Sequence, residues 1–532
     1  MTAVALVAAA IAFVWVWRIL PAERPGSVTP AEASASYYPE DAVAYAWLNL
    51  APGESPPGSL PFLFDQLDGL EGSGGLAGEG DNILPDAIAT LFGEPSAWMG
   101  TEASAAVVEL GNGEIAFAAT VRVSDTDAAA EFMRSWLQHQ EQSTSASVAQ
   151  AGDFLLFGTD EGLLEEVLER IEGDHPETLA SAGHFEEARA AARDGRFASA
   201  YLDLEWLTGR MGDPGRSPCP GVPFDTPEWL MVSASWAGEG LVVDLATPDV
   251  TSWWTDTSTG VTDAVVPADA LGFVSIGFDP DMDRWREILG GCEIAGLLPG
   301  GYLFEQPSAE DTSGLEEGAT LADALDLALG FVDLGTGLDL EADLFDHLGG
   351  QLVLVAHGPD REGSSVDGVA ALSYRPLSRN ALAGTIDGVA NGISSLTGVF
   401  IQELDSGAGG AAPVTEDGKL SLGYVLHGGF VAFGTGADAL ETTVAVQQGT
   451  RDHVSGADQY RRTVKHIPYD PLLLAYVDLA RVIDRMGSSG MGSDHGPLSM
   501  LSRWLGPMAL GVGTDGDYTR ATLVLSLLPS TS

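Results

Sequence analysis

The chain has 532 residues, 45% of them hydrophobic, and its 77 acids against 24 basic residues leave a formal net charge of −53. That length exceeds what one hydrophobic core organises, so two domains are expected. A field of that sign repels nucleic acid and anionic lipid, which argues against polyanion binding, and scattered acids read as a solubility device, with cation loading or a basic partner as the alternative.

From the N-terminus, Thr2 to Trp17 carry no charge and are followed by Arg18, Ile19 and Leu20. The stretch predicts a transmembrane helix over 1–20, with Trp15, Trp17 and Arg18 at the interface. A cleaved signal peptide is the rival, but the nearest Ala-x-Ala candidates, around Ala31 to Ala35, lie well past the apolar run. Arg18 and Arg24 alone would hold the following side in the cytoplasm, whereas Glu23 and the acidic domain oppose that. The reading taken is a single-pass anchor in the cell membrane with the bulk of the chain extracytoplasmic. Residues 21–36, rich in Pro, Ala, Ser and Glu, read as a flexible tether.

A first repeat domain is expected over 37–248. It opens with a strand at Ala44–Leu50 and a short helix at Asn82–Phe92, then strands Ala105–Leu110 and Glu114–Val123 around the hairpin signal Asn112-Gly113. Ser124 or Asp125 caps a helix with the stripe Ala129, Phe132, Met133, Trp136 and Leu137. After a strand at Phe154–Phe157, Thr159 or Asp160 caps a helix burying Leu163, Leu164, Val167, Leu168 and Ile171. Phe185, Ala188 and Ala191 mark a third helix; Ala198–Leu204 is a strand, and Trp229–Trp236 with Leu241–Ala246 close the unit as a hairpin. A polar linker, 249–264, leads to a second repeat domain, 265–529, with strands at Gly272–Phe278, Leu352–Ala356, Val369–Tyr374, Ala509–Val512 and Thr519–Leu528.

The division rests on recurrence. Ala200, Tyr201, Leu202, Asp203, Leu204 and Arg210-Met211-Gly212 return 275 positions later as Ala475, Tyr476, Val477, Asp478, Leu479 and Arg485-Met486-Gly487. Pro39, Asp41, Ala42, Tyr45 and Pro52 return 228 positions later as Pro267, Asp269, Ala270, Phe273 and Pro280. The difference between the offsets places extra residues in the second copy, within 291–335 and 400–420. Hairpins interleaved with helices predict an α+β fold: two tandem duplicated domains with mainly antiparallel sheets and packed helices.

The Pro-x-Asp-Ala-x-x-aromatic opening, the run Thr336 to Leu344 leading into Leu348-Gly349-Gly350, and the Ala-Tyr-x-Asp-Leu strand resemble the bacterial domain-of-unknown-function 3352 family over most of 37–529. In the first repeat the Leu-Gly-Gly region is degraded to Phe92-Gly93 and Met99-Gly100. The resemblance implies a membrane-anchored or secreted protein and brings no catalytic residues or cofactor.

Motifs that look chemical fail on context. Gly511-Val512-Gly513-Thr514-Asp515-Gly516 has dinucleotide spacing, but a strand pattern follows where a helix is needed, so Asp515-Gly516 reads as a hairpin turn. Asp279, Asp281 and Asp283 resemble the start of a calcium loop, yet Arg284 and Gly290 stand at its glycine and glutamate positions, and capping of a helix at Met282–Leu289 is the better reading. Asp339, Asp343 and His347 would share one face of a helix; a solvated acidic face is preferred to a metal site there. Asp203 and Asp478, two residues after a tyrosine, are expected to accept backbone N–H bonds at a strand end or loop, a ligand-facing acid being the alternative; Arg210 and Arg485 would meet them or cap a local helix. Cys219 and Cys292 are either one disulfide or two thiols. No catalytic, cofactor or metal residue is assigned. The expected function is a non-catalytic binding or structural module, partnered by the membrane through its N-terminal helix and by an envelope protein or hydrophobic ligand. The alternatives are a carrier of a lipid or other hydrophobic ligand, or a hydrolase with its site between the halves.

Overall fold

The computed structural model describes residues 31–49, 99–131 apart from 112, 147–210 apart from 174–176, 227–248 apart from 238–239, 264–283 apart from 279 and 282, 286, 322, 326, 339–358, 367–375, 378–397, 401–403, 422–434, 437–488 and 505–528. The anchor 1–20, most of the tether and the linker, the helix at 82–92, nearly all of the extra residues in 291–335 and 400–420, Cys219 and Cys292 lie outside them. Among the described residues no helix is long and apolar enough to cross a membrane. The expected tether runs too far: Ala31–Ala35 form a helical turn (α1) whose Ser34 and Ala35 are fully buried, with Ser34 Oγ 2.5 Å from the Tyr45 hydroxyl. Side chains that small let the turn sit directly on the aromatic core.

In chain order the elements then run β1 (Ala42–Asn49), β2 (Met99–Glu109), β3 (Ile115–Val123), a helix beginning at 126, β4 (Ser147–Ala151), β5 (Phe154–Gly158), α2 (Glu161–Glu172), α3 (Gly183–Ala191), β6 (Arg196–Asp203), α4 (Leu204–Arg210), β7 (Trp229–Ala237) and β8 (Gly240–Pro248). They continue with β9 (Gly272–Gly277), α5 (Leu340–Asp343), β10 (Leu348–His357), β11 (Asp367–Tyr374), α6 (Arg379–Thr397), β12 (Ile401–Glu403), β13 (Leu422–His427), β14 (Phe430–Gly434), α7 (Ala437–Gln447), α8 (Asp458–Val464), β15 (Pro471–Asp478), α9 (Leu479–Ser488), β16 (Leu505–Asp515) and β17 (Tyr518–Leu527). Local chemistry sets their ends. Asp125 Oδ1 accepts the amides of Asp127 and Ala128, and Asp160 Oδ1 that of Leu163, which satisfies otherwise orphaned donors. Gly516, at φ 63, turns β16 into β17, so the dinucleotide-like glycines lie in a hairpin as expected.

The described strands form one seventeen-stranded sheet in an α+β fold, and among them every pair but β12–β13 is antiparallel. Pairing gives the order β4-β5-β3-β2-β1-β6-β7-β8, then β17-β16-β15-β9-β10-β11-β14-β13-β12. Read outward from the β8–β17 seam, both halves run through corresponding strands in the same order. The seam register is its own mirror: Gly240 faces Ser526, Tyr518 faces Pro248, and Asp244 faces Thr522 at the centre. There Asp244, 1% exposed, accepts from Arg520 Nη1 and from Thr522 Oγ1, both at 2.6 Å.

Helices α2, α3, α7 and α8 pack on one face of the sheet over two apolar clusters. At the heart of these, Phe185 meets Tyr45 and Tyr201 at 5.4 and 5.3 Å, while Tyr460 meets Phe273 and Tyr476 at 5.9 and 5.2 Å. The Pro-x-x-Ala signature is the turn into the first strand of each half: Pro39 O accepts the Ala42 amide and Pro267 O that of Ala270. The Leu-Gly-Gly motif opens β10 at a register shift, where Gly350 has φ 83 and a Cβ would stand 2.6 Å from Phe278 O. Only glycine fits there.

Candidate functional site

On the opposite face the helices stand at the two ends of the sheet, with Ala129 over one cluster and Leu382 and Ile386 of α6 over another. Between them the alternate positions of the central strands carry aliphatic side chains where an antiparallel sheet open to water normally carries polar ones. Cross-strand pairing sets them in rows. One row is Val243, Leu523, Leu510, Ala475, Val274 and Leu354; the next is Leu245, Ala521, Val512, Leu473, Ile276 and Leu352. A third is Leu241, Leu525, Met508 and Val477. All are half-buried except Leu354, which is 43% exposed. With strands ~4.8 Å apart and same-face residues ~6.8 Å apart along each strand, these rows cover on the order of 500 Å², as large as the biggest apolar patch on a typical monomer. A threonine row, Thr247, Thr519 and Thr514, bounds them on one side.

The repeated acids and arginines lie at strand ends on the helical face. Asp203 Oδ1 accepts the Trp206 amide at 2.8 Å and Asp478 Oδ1 the Arg481 amide at 3.1 Å, so each aspartate ends a strand and caps the helix after it. Strand alternation puts each beside its tyrosine: burial first, and then the neighbouring carboxylate, holds the phenols of Tyr201 and Tyr476 well above the ordinary value. Arg210 does not meet Asp203. Its Nη1 bonds Glu109 Oε1 at 2.7 Å, its Nη2 donates to Gly113 O at 2.6 Å, and it stacks over Trp206, whose indole N–H also donates to Glu109. The length of its three-methylene stem carries the guanidinium a strand away from the cap. Arg485 stands in the corresponding place beside Gly358.

Each arginine lines a cleft. Asp203, Glu205, Trp206, Gly209, Arg210 and Glu109 border an open depression of about 560 Å³ in the first half. The second-half cleft, about 540 Å³, gathers Arg451, Arg481 and Arg485 with Asp269, Asp367, Asp438, Asp484 and His357. Arg451 pairs with Asp269 at 2.6 Å and donates to Thr442 at 2.8 Å; Arg481 pairs with Asp478 at 3.0 Å. The sequence pointed to Arg210 and Arg485 but not to Glu109, Gly358 or Arg451. Glu109 and Gly358 come from strands paired differently in sequence, and only the β1–β2 and β9–β10 registers make them equivalent.

The acidic run at 339–347 does not form one ligand face. Asp339 precedes the helix and caps it through the Ala342 amide, α5 ends at Asp343, and His347 falls in the following 3-10 turn with Nδ1 3.0 Å from Ser378 Oγ. One helical turn is too short to stack positions i, i+4 and i+8. Asp281 Oδ1 accepts the Asp283 amide at 3.0 Å, in keeping with capping, and Arg286 bridges Asp283, Asp326 and Glu341; Asp279 lies outside the described residues.

No protein-family model and no curated protein matches the chain. A solved structure titled "Structure of crystal form I of TP0453" is similar over 42% of this chain and 79% of its own, at 11% identity and a TM-score of 0.22, a likeness too slight to carry fold or function.

Proposed function

We propose that the protein is a non-catalytic binding module, anchored in the cell membrane by residues 1–20 with its bulk extracytoplasmic, that arose by fusion of two copies of one domain and holds an apolar ligand on the central strands of the sheet face that no described helix covers there. The family resemblance belongs to the same reading, since its motifs fall on a strand-entry turn, a glycine-dependent strand opening and a helix-capping strand end. Fusion of two copies accounts for the mirrored strand order and the self-matching seam.

The aliphatic rows carry the functional part. Left in water they cost free energy at about 25 cal/mol per Å², so covering even part of them is worth several kcal/mol before the ligand is ordered. Their sixteen side chains include no aromatic residue and no arginine, the types from which protein interfaces draw most of their energy. A charge of −53 opposes pairing with a second copy. Flexible aliphatic matter, such as the acyl chain of a lipid, fits such a lining.

Mass spectrometry of the full-length protein extracted without added lipid tests this. A stoichiometric aliphatic ligand is expected, with fluorescent fatty acid displacing it, and both are expected to disappear in Leu510→Lys/Leu523→Lys. Absence of any apolar ligand and of fatty-acid binding, or binding unaltered in the double variant, would overturn the reading. Loss of thermal stability in that variant without any change in ligand would show that the chain itself covers the rows.

A further inference from the structure

Six strands carry the aliphatic rows: β8, β17, β16, β15, β9 and β10. Apart from Tyr476 and Tyr518, their titratable side chains are Asp244, His357, Asp478, Asp515 and Arg520. Strand alternation sets all of these, the tyrosines included, on the helix-bearing face. Arg520 joins Asp244 and Asp515 there and donates to Ala191 O at the end of α3. Asp478 follows Tyr476, and His357 follows Val353 and Val355, on the side of the cluster that α7 and α8 cover. The opposite face of the same six strands is therefore free of charge. Its side-chain oxygens, among the described residues, are those of Thr247, Thr519 and Thr514, in one row at one end. From that row to Leu241 the face runs ~20 Å along the strands. On α6, over the end of the sheet, Arg379 donates to Leu426 O of β13, three strands and so ~14 Å beyond β10.

We infer that the apolar face selects an uncharged, hydroxyl-bearing lipid, of the class of a monoacylglycerol or long-chain alcohol, over fatty acids and anionic phospholipids. The inference rests on the apolar-ligand reading and adds the chemistry of the head group. The chain lies along the aliphatic rows, and the head group reaches the threonine row, whose hydroxyls both give and accept hydrogen bonds. Thr247 Oγ1 donates to Pro248 O at 3.1 Å and keeps its lone pairs for a donor on the ligand. An ionised head at that row gives up hydration without meeting a cation, a cost that a neutral hydroxyl avoids. The field of a chain at −53 adds to the cost for an anion and adds nothing for a neutral molecule. A cationic amphiphile is drawn by the field, yet on this face it finds no carboxylate. A fatty acid still binds through its chain, less tightly by what its head group costs.

Displacement of a fluorescent long-chain alcohol from the full-length protein, with each competitor below its aggregation concentration, tests the inference. Monooleoylglycerol is expected to compete at least ~10-fold more effectively than oleate, with methyl oleate, which has the chain and no donor, between them. Thr514→Lys sets a cation at the threonine row and should shift the ratio toward oleate by at least ~10-fold. Competition by oleate or methyl oleate as strong as that by monooleoylglycerol, or a ratio unmoved in Thr514→Lys, would overturn this inference and leave the apolar-ligand reading standing. Displacement by none of the lipids would overturn both. Leu510→Lys/Leu523→Lys, which breaks the rows under the chain, is expected to lose all three competitors together, so loss of the chain contacts and loss of head-group selection are separate results.

Discussion

The first and second halves keep the same interior and part company at the surface. The aromatic trio Tyr45, Phe185 and Tyr201 returns as Phe273, Tyr460 and Tyr476, and the capping Asp203 returns as Asp478. Beside those fixed points Glu109 gives way to Gly358 and Trp206 to Arg481, in the clefts that the recurring arginines line. Positions that close the core and end the strands carry aromatic rings and a capping aspartate in both halves. The difference between the halves is therefore informative about binding, and their likeness about folding.

The largest effects should come from breaking the shared interior. Phe185, 3% exposed, packs against Tyr45 of β1 and Tyr201 of β6, and Tyr460, 6% exposed, against Phe273 of β9 and Tyr476 of β15. Phe185→Ala and Tyr460→Ala should each cost about 3–5 kcal/mol in urea unfolding followed by circular dichroism. A cost below ~1 kcal/mol in one half alone would end the claim that the two interiors are equivalent.

The seam comes next. Asp244→Ala removes the buried partner of Arg520, which is itself 11% exposed, and the acceptor of Thr522 Oγ1, which keeps only the hydrogen bond from the Tyr469 hydroxyl. Arg520 keeps Asp515 at 2.8 Å, so the loss should sit near the low end for a broken buried pair, about 3 kcal/mol by denaturant titration. The centre of the seam shows why the halves cannot be identical: an aspartate on both sides would set two carboxylates against each other in a dry interior. A variant as stable as the parent would mean that the halves are not held together there.

Alkali offers a test of the interior as a whole. Burial raises the phenols of Tyr38, Tyr45, Tyr201 and Tyr476 well above the usual 10, and pushes that of Tyr469 up to about 12. The folded state holds these protons at pH values where the unfolded chain releases them. The stability they provide is present below pH 10 and falls as pH climbs through about 12. Melting temperatures measured from pH 9 to 12 should decline steeply above 10, with tyrosinate absorbance appearing together with unfolding rather than before it. Absorbance that rises smoothly from pH 9.5 in the folded protein would contradict the buried assignment.

Much of this architecture was legible in the residues. Hairpin glycines, capping aspartates and the stripe Leu163, Leu164 and Val167 act through neighbours within a few positions, so their signals survive in one sequence. The seam pairing was not legible, because it joins strands some 278 residues apart and any two apolar strands of that length could pair. The apolar face had a signal that strand alternation obscured. Leu472-Leu473-Leu474-Ala475 and Leu352-Val353-Leu354-Val355 are unbroken apolar runs, the pattern of strands that bury both faces, and over these central strands the described helices cover only one. The acidic run at 339–347 misled because spacing alone says nothing about where a helix stops; Asp339 as a cap and the single turn of α5 decide that.

The smallest effect bears on the recurring acids themselves. If Asp203 and Asp478 are caps, replacement by alanine frees one amide at the start of a helix and should cost about 1 kcal/mol in each half. Asp478 also pairs with Arg481 at 3.0 Å, but that arginine is 45% exposed and screened, so the pair adds little. Asp478→Ser keeps an acceptor and should recover most of the loss, whereas Asp478→Ala should not. A ligand-facing acid would behave differently: its replacement would leave stability nearly unchanged, or raise it by relieving crowded negative charge. Urea unfolding of the same three variants therefore separates the two roles, and an alanine variant as stable as the parent would remove the capping assignment from that half.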